Sequence, residues 1–151
     1  QVNLADSTSN EWYVTGVQLE AGSVASDFEF LPVDVNLERC KRYYQLLDDG
    51  DNTSAIGVAT SYTTTAAYII IPLHPEMRTQ PSIDQVTGVD YFNYLNAGTG
   101  KPFNSFSGST GNSTNKFMRI NNAENITVTA GTSGWIKTNN TSAYLAFDAE
   151  L

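Results

Sequence analysis

The chain reads as an all-β protein, an antiparallel β-sandwich of jelly-roll type with one short helix. Three observations predict this. Ser, Thr and Asn supply 44 of the 151 residues, whereas Lys and Arg together supply 8; that balance favours short strands and many turns over long amphipathic helices. Apolar and aromatic residues alternate with period two in several short runs, the pattern of half-buried strands. Gly, Pro, Asn and Asp clusters separate those runs at intervals suited to about eight short strands of a sandwich.

Each element follows in order. Residues 1–10 are polar and irregular. Glu11–Glu20 reads as a strand, with Tyr13, Thr15, Val17 and Leu19 on one face and Trp12, Val14 and Gly16 on the other. Ala21-Gly22-Ser23 is a turn, and Phe28–Leu31 is a short extended piece stopped by Pro32. Asp34 is placed to cap a helix from Val35 to about Arg42, the one helix predicted. The stretch through Tyr43, Tyr44 and Leu47 continues as a strand, and Asp48-Asp49-Gly50-Asp51-Asn52 is a turn. Cys40 is expected as a buried small hydrophobe, docking with Arg39, Tyr43 and Tyr44 onto the sandwich.

Beyond Ser54, residues 55–62 and 65–73 form a predicted hairpin, and Pro72, Pro75 and Pro81 mark a crossover. Residues 82–95, β-branched and aromatic, read as strand. Residues 96–116, with four glycines among Ser, Thr and Asn, read as one long surface loop. Phe117–Ile120 and Ile126–Thr129 are predicted strands around a turn at Asn121-Asn122. A turn over 131–134 leads to strands at Trp135–Lys137 and Ala143–Ala149. Residues 1–33 are too few for a domain and are expected to be an arm packing on a neighbouring chain or the end of a preceding β domain. Residues 34–151 form the C-terminal sandwich.

Composition also bounds function. No apolar run approaches the length of a membrane span, and no basic segment followed by an apolar one suggests a signal peptide. A chain opening on Gln1 is expected to be a piece of a longer or processed polypeptide. The net charge of −8 argues against nucleic-acid binding. The charge is uneven: Lys101, Lys116, Arg119 and Lys137 face a single acid, Glu124, between residues 91 and 147. That asymmetry suits an anionic partner, although chance produces it readily in a Ser/Thr/Asn-rich segment.

Four stretches resemble the C-terminal region of phage tail-fibre and related phage structural proteins: Trp12–Gly22 with Phe28-Glu29; Glu38-Arg39-Cys40-Lys41-Arg42-Tyr43-Tyr44; Pro75-Glu76-Met77-Arg78 with Pro81; and Ala143–Leu151. Ser26-Asp27 stand where the family often has Thr-Pro, and Lys41 where Gln is common. In that family the first stretch closes a carbohydrate-binding-like jelly roll and the second opens the tip domain. The resemblance implies a non-catalytic homotrimer at the end of a fibre shaft, in the virion and extracellular after release. It also implies attachment to a host surface polysaccharide, lipopolysaccharide or outer-membrane protein. A trimerising or capping module without receptor contact is the alternative.

The residues agree with a non-enzymatic reading. His74 is the only histidine and Cys40 the only cysteine, and no nucleophile elbow or phosphate loop occurs. Asp48, Asp49 and Asp51 miss the spacing of a calcium loop, since Gly50 comes third in the cluster. No cofactor and no metal are expected. The receptor-contact residues predicted are Tyr91, Tyr94, Lys101, Phe103, Asn104, Phe106, Asn112 and Lys116, with Phe92 and Arg119 beside them. Rings stack on sugar faces and amides bond hydroxyls; the alternative buries Tyr91, Phe92, Tyr94, Phe103 and Phe106 in the core or a trimer seam.

Overall fold

A computed structural model describes residues 13–24, 26–28, 30–48, 50, 54–108 and 110–150. The chain divides into two units, Gln1–Val33 and Asp34–Leu151.

In the first unit the described residues before Val33 contain no strand, against the strand expected over Glu11–Glu20; Glu11 and Trp12 lie outside the described residues. Gly16 sits at φ 68°, a left-handed turn of the backbone that interrupts extended structure and that glycine adopts without cost. The Glu20 carboxylate accepts hydrogen bonds from the Ser26 N–H and hydroxyl, both at 2.5 Å, and from Gln18 Nε2 at 3.2 Å. The Ser26 bonds, the hydroxyl first, hold its carboxyl below the ordinary range.

Helix α1, Val33–Lys41, begins at the last residue of the first unit and leads into the second, whose described residues form ten strands. Strands β1 (Tyr44–Asp48), β10 (Tyr144–Asp148) and β4 (Ser82–Val86) form one antiparallel sheet in the order β1-β10-β4. The other seven are β2 (Ala55–Ser61), β3 (Ala67–Pro72), β5 (Phe92–Asn96), β6 (Thr99–Phe103), β7 (Phe106–Gly108), β8 (Phe117–Asn122) and β9 (Ser133–Thr138). Their order is β6-β5-β9-β2-β3-β8-β7, every pair antiparallel. The second unit is thus an all-β antiparallel sandwich with one short helix, as the sequence predicts.

In the larger sheet β6 and β7 stand at opposite ends, yet only Asn104 and Ser105 join them in sequence. The sheet therefore curls until its two edges meet. The junction is sealed by rings: Phe92, Phe103 and Phe106 lie with centroids 4.6 to 5.7 Å apart, all buried with Ile69, Ile120, Ile136 and, from the smaller sheet, Leu145 and Phe147. Burying each such side chain contributes about 1.5–3 kcal/mol. Gln85 of β4 joins the sheets. Its side-chain amide donates to the Phe106 carbonyl and accepts from the Phe106 N–H, both at 2.8 Å, so it satisfies the edge of β7 as a neighbouring strand would.

Several sequence expectations are corrected. The stretch 96–116 is not a loop: it carries β6, β7 and a 3₁₀ turn at Thr110–Asn112. Ala97 and Gly98, at φ 49° and 73°, make a two-residue hairpin turn between β5 and β6. Pro102 is accommodated because β6 is an edge strand, where a missing N–H costs no ladder bond. Asn121 and Asn122 lie within β8 rather than in a turn. Ile126–Thr129 forms no strand; it runs beside residues 64–65 through the Ile126 and Val128 N–H groups alone. Strand β1 follows α1 as expected, but α1 buries none of its side chains and Cys40 is exposed. Helix α1 is held at its end instead, where Arg78 N donates to the Arg42 carbonyl at 2.7 Å and the Gln45 amide donates to the Lys41 and Pro75 carbonyls. Tyr43 is exposed under the Arg78 guanidinium, and Tyr44 is half-buried with its hydroxyl on Asp84 at 3.0 Å. Of the acidic turn after β1, Asp49 and Asp51–Thr53 lie outside the described residues.

Candidate functional site

The residues singled out as receptor contacts do not form one surface. Tyr94, Phe103 and Phe106 point inward and are buried, as is Phe92. Period two dictates this: Phe92 and Tyr94 alternate with Asn93 and Leu95, and register sets Phe92 opposite Phe103. The Tyr94 hydroxyl lies 3.0 Å from Ser61 Oγ and accepts from Asn96 Nδ2 at 3.1 Å. Asn96 in turn donates to Thr132 Oγ1 and the Ser133 carbonyl, so the network is internal and structural. Tyr91 is half-buried, its ring filling the space a side chain on Gly88 would need. Asn104 Oδ1 accepts the Asp90 N–H at 3.0 Å. Lys101 lies on β6, Asn112 ends the 3₁₀ turn, and Lys116 pairs with Glu76 at 3.7 Å before β8.

The same alternation builds a different surface on the outer face of the seven-stranded sheet. Leu95, Trp135 and Val58 are direct register neighbours across β5, β9 and β2. Thr60 lies opposite Tyr68, and Ile70 opposite Arg119. Val58 is 75% exposed, Ile70 64% and Trp135 41%, an unusual density of large apolar side chains on a solvent face. At one end Tyr62 stands 75% exposed just past β2, fixed by its N–H on the Ala66 carbonyl at 3.1 Å.

There the face deepens into a groove of about 380 Å³ lined by Val58, Thr60, Tyr62, Tyr68, Ile70 and Arg119. The two tyrosine rings meet edge to face, centroids 5.4 Å apart at 81°. The Arg119 guanidinium lies over the Tyr68 ring, 4.8 Å from its centroid. Among the described residues no carboxylate pairs with it, and its buried Nε has no hydrogen-bond partner. Aromatic floor, hydroxyl and unpaired cation equip the groove for binding. It contains no carboxylate, imidazole or thiol that could act as a base or nucleophile.

Sequence reasoning missed Tyr62, Tyr68, Val58, Ile70 and Trp135. The alternation of Val58, Thr60 and Tyr62, and of Tyr68 and Ile70, places each set on one side of its strand. Which side faced solvent depended on the partner strands. Among the described residues no group of three or more His, Cys, Asp or Glu side chains is arranged to hold a metal ion, and no helix is long and apolar enough to cross a membrane. No protein-family model, curated protein or solved structure matches the chain.

Proposed function

We propose that this chain is a non-catalytic attachment module, the C-terminal host-contacting part of a phage tail fibre. The observation that carries the reading is the outward face of the seven-stranded sheet. A sandwich whose core is already filled still presents Trp135, Val58, Ile70, Tyr62 and Tyr68 to solvent, and large exposed apolar patches mark interaction surfaces. A rigid antiparallel sheet holds these side chains without a loop to order, so binding sacrifices little conformational entropy. The four stretches that resemble fibre proteins supply the biological context, a virion component meeting a bacterial surface.

Helix α1 favours the companion reading of a trimerising module. It exposes Leu37 and part of Val35 and fully buries none of its residues, and a helix of nine residues is not stable on its own in water. A second copy of the chain is the occupant proposed for it, which leaves the sheet face for the host. The test is attachment of the isolated chain to host cells. Saturable binding with no release of oligosaccharide is expected. Absence of binding from a chain that still folds overturns the attachment reading and leaves the trimerising role.

A further inference from the structure

We propose that the Tyr62–Tyr68–Arg119 groove binds a carboxylate-bearing saccharide, a uronic-acid glycan, with the sugar ring against the tyrosines and the carboxylate on the guanidinium. The inference deepens the attachment reading and rests on it for biological meaning. Three features converge. Tyr62 and Tyr68 meet at 81° and form a corner of ring faces and edges, the kind of surface on which the C–H face of a pyranose packs. Thr60, opposite Tyr68 in register, brings a hydroxyl to the same wall. Arg119 supplies a planar set of donors matched to a carboxylate.

The charge argument separates an acidic ligand from a neutral one. The other lysine–carboxylate contacts described are exposed surface pairs, Lys41 with Glu38 and Lys116 with Glu76. Among the described residues Arg119 has no such partner, and it stacks on the Tyr68 ring in the groove. A guanidinium held at that position by its ring contact attracts an anion more than a neutral ligand. The groove's 380 Å³ falls in the range of about 300–1,000 Å³ usual for small-ligand sites. A second copy of the chain is the competing occupant of so apolar a face, and the experiment scores it.

The 151-residue chain is applied to an array of uronate-bearing and neutral oligosaccharides, then titrated with oligogalacturonate and with its methyl ester. Signal confined to carboxylate-bearing glycans is expected, weakening as salt is raised. Arg119→Gln should lower affinity about tenfold or more, with Arg119→Lys restoring only part because the planar donor set is lost. Tyr62→Ala, at an exposed position, should also weaken binding about tenfold while leaving the thermal transition in place. Failure of every carboxylate-bearing glycan to bind, or equal affinity for Arg119→Gln and the parent, overturns the proposal. A change of mass in light scattering caused by Tyr62→Ala overturns it too, by assigning the face to a second copy. Host-cell attachment measured in parallel keeps the two readings apart. Attachment that survives Arg119→Gln and Tyr62→Ala sinks this site alone, whereas an intact glycan site without cell attachment sinks the attachment reading alone.

Discussion

Glu124 shows how much one side chain organises. Its carboxylate accepts the Asn104 N–H at 3.0 Å, the Ser105 N–H at 3.3 Å and the Ser105 hydroxyl at 2.9 Å, and so ties the β6–β7 corner to the segment after β8. Burial pushes its carboxyl up, but these hydrogen bonds outweigh burial and hold it below the ordinary carboxylate range. The charged form is therefore favoured by folding. Its stabilisation is present above about pH 4.3, the unperturbed glutamate value, and is lost as pH falls through the lower folded value. Glu124→Ala should cost about 2 kcal/mol at pH 7, and the gap between variant and parent in denaturant titrations should narrow as pH falls through the lowered folded-state value. In the middle of β5, Tyr94→Phe removes the hydroxyl shared by Ser61 and Asn96. It should cost about 1–2 kcal/mol in the same assay, with the sheet intact because the ring stays. Gly134 is needed for a different reason: a Cβ there would overlap the Leu95 carbonyl of the neighbouring strand β5.

Among the elements, the place of β7 depends on a side chain of the other sheet. It is three residues long and pairs with β8 on one side only. On the other side Gln85 stands in for a strand, satisfying both backbone groups of Phe106. Gln85→Ala leaves those two groups unpaired in a part-buried setting and should destabilise by about 1–3 kcal/mol. Hydrogen exchange should rise first at Phe106 and its neighbours; protection unchanged there would show that β7 holds without the bridge. Helix α1 is the converse case, regular in backbone but fully burying none of its residues, with backbone hydrogen bonds to the sandwich just past its C-terminal end.

At the scale of the whole molecule the expected assembly is a trimer. Apolar side chains exposed on α1 and on the outer face of the smaller sheet, among them Leu37, Leu46 and Val86, are the surfaces we propose the neighbouring copies cover. Light scattering at micromolar concentration is expected to give three times the 16.5 kDa chain mass, and a clean monomer peak removes the argument. The proposed absence of hydrolysis is checked separately. Incubation with host capsule or lipopolysaccharide should release no reducing ends, and release that is lost on changing one Asp or Glu would identify an active site.

What the sequence by itself determined is the class of the fold and the position of most strands. The β-prone runs 55–62, 65–73 and 135–137 report local backbone geometry and need no partner to be read, whereas 82–95, which reads as one strand, is two, β4 and β5, in different sheets. Glycine and proline misled where their meaning depends on neighbours. Gly98 and Pro102 read as loop residues, yet a two-residue hairpin and an edge strand accommodate both. Only the tertiary structure decided which side of each strand faces solvent. The aromatic residues of 91–106 were candidates for contact with a receptor, but register and the curl of the sheet turned Phe92, Tyr94, Phe103 and Phe106 inward. The same pairing turned Tyr68, Ile70 and Trp135 outward and set Arg119 over a ring from another strand. A period of two divides a strand into two faces; the sheets it packs between choose which of them is the surface.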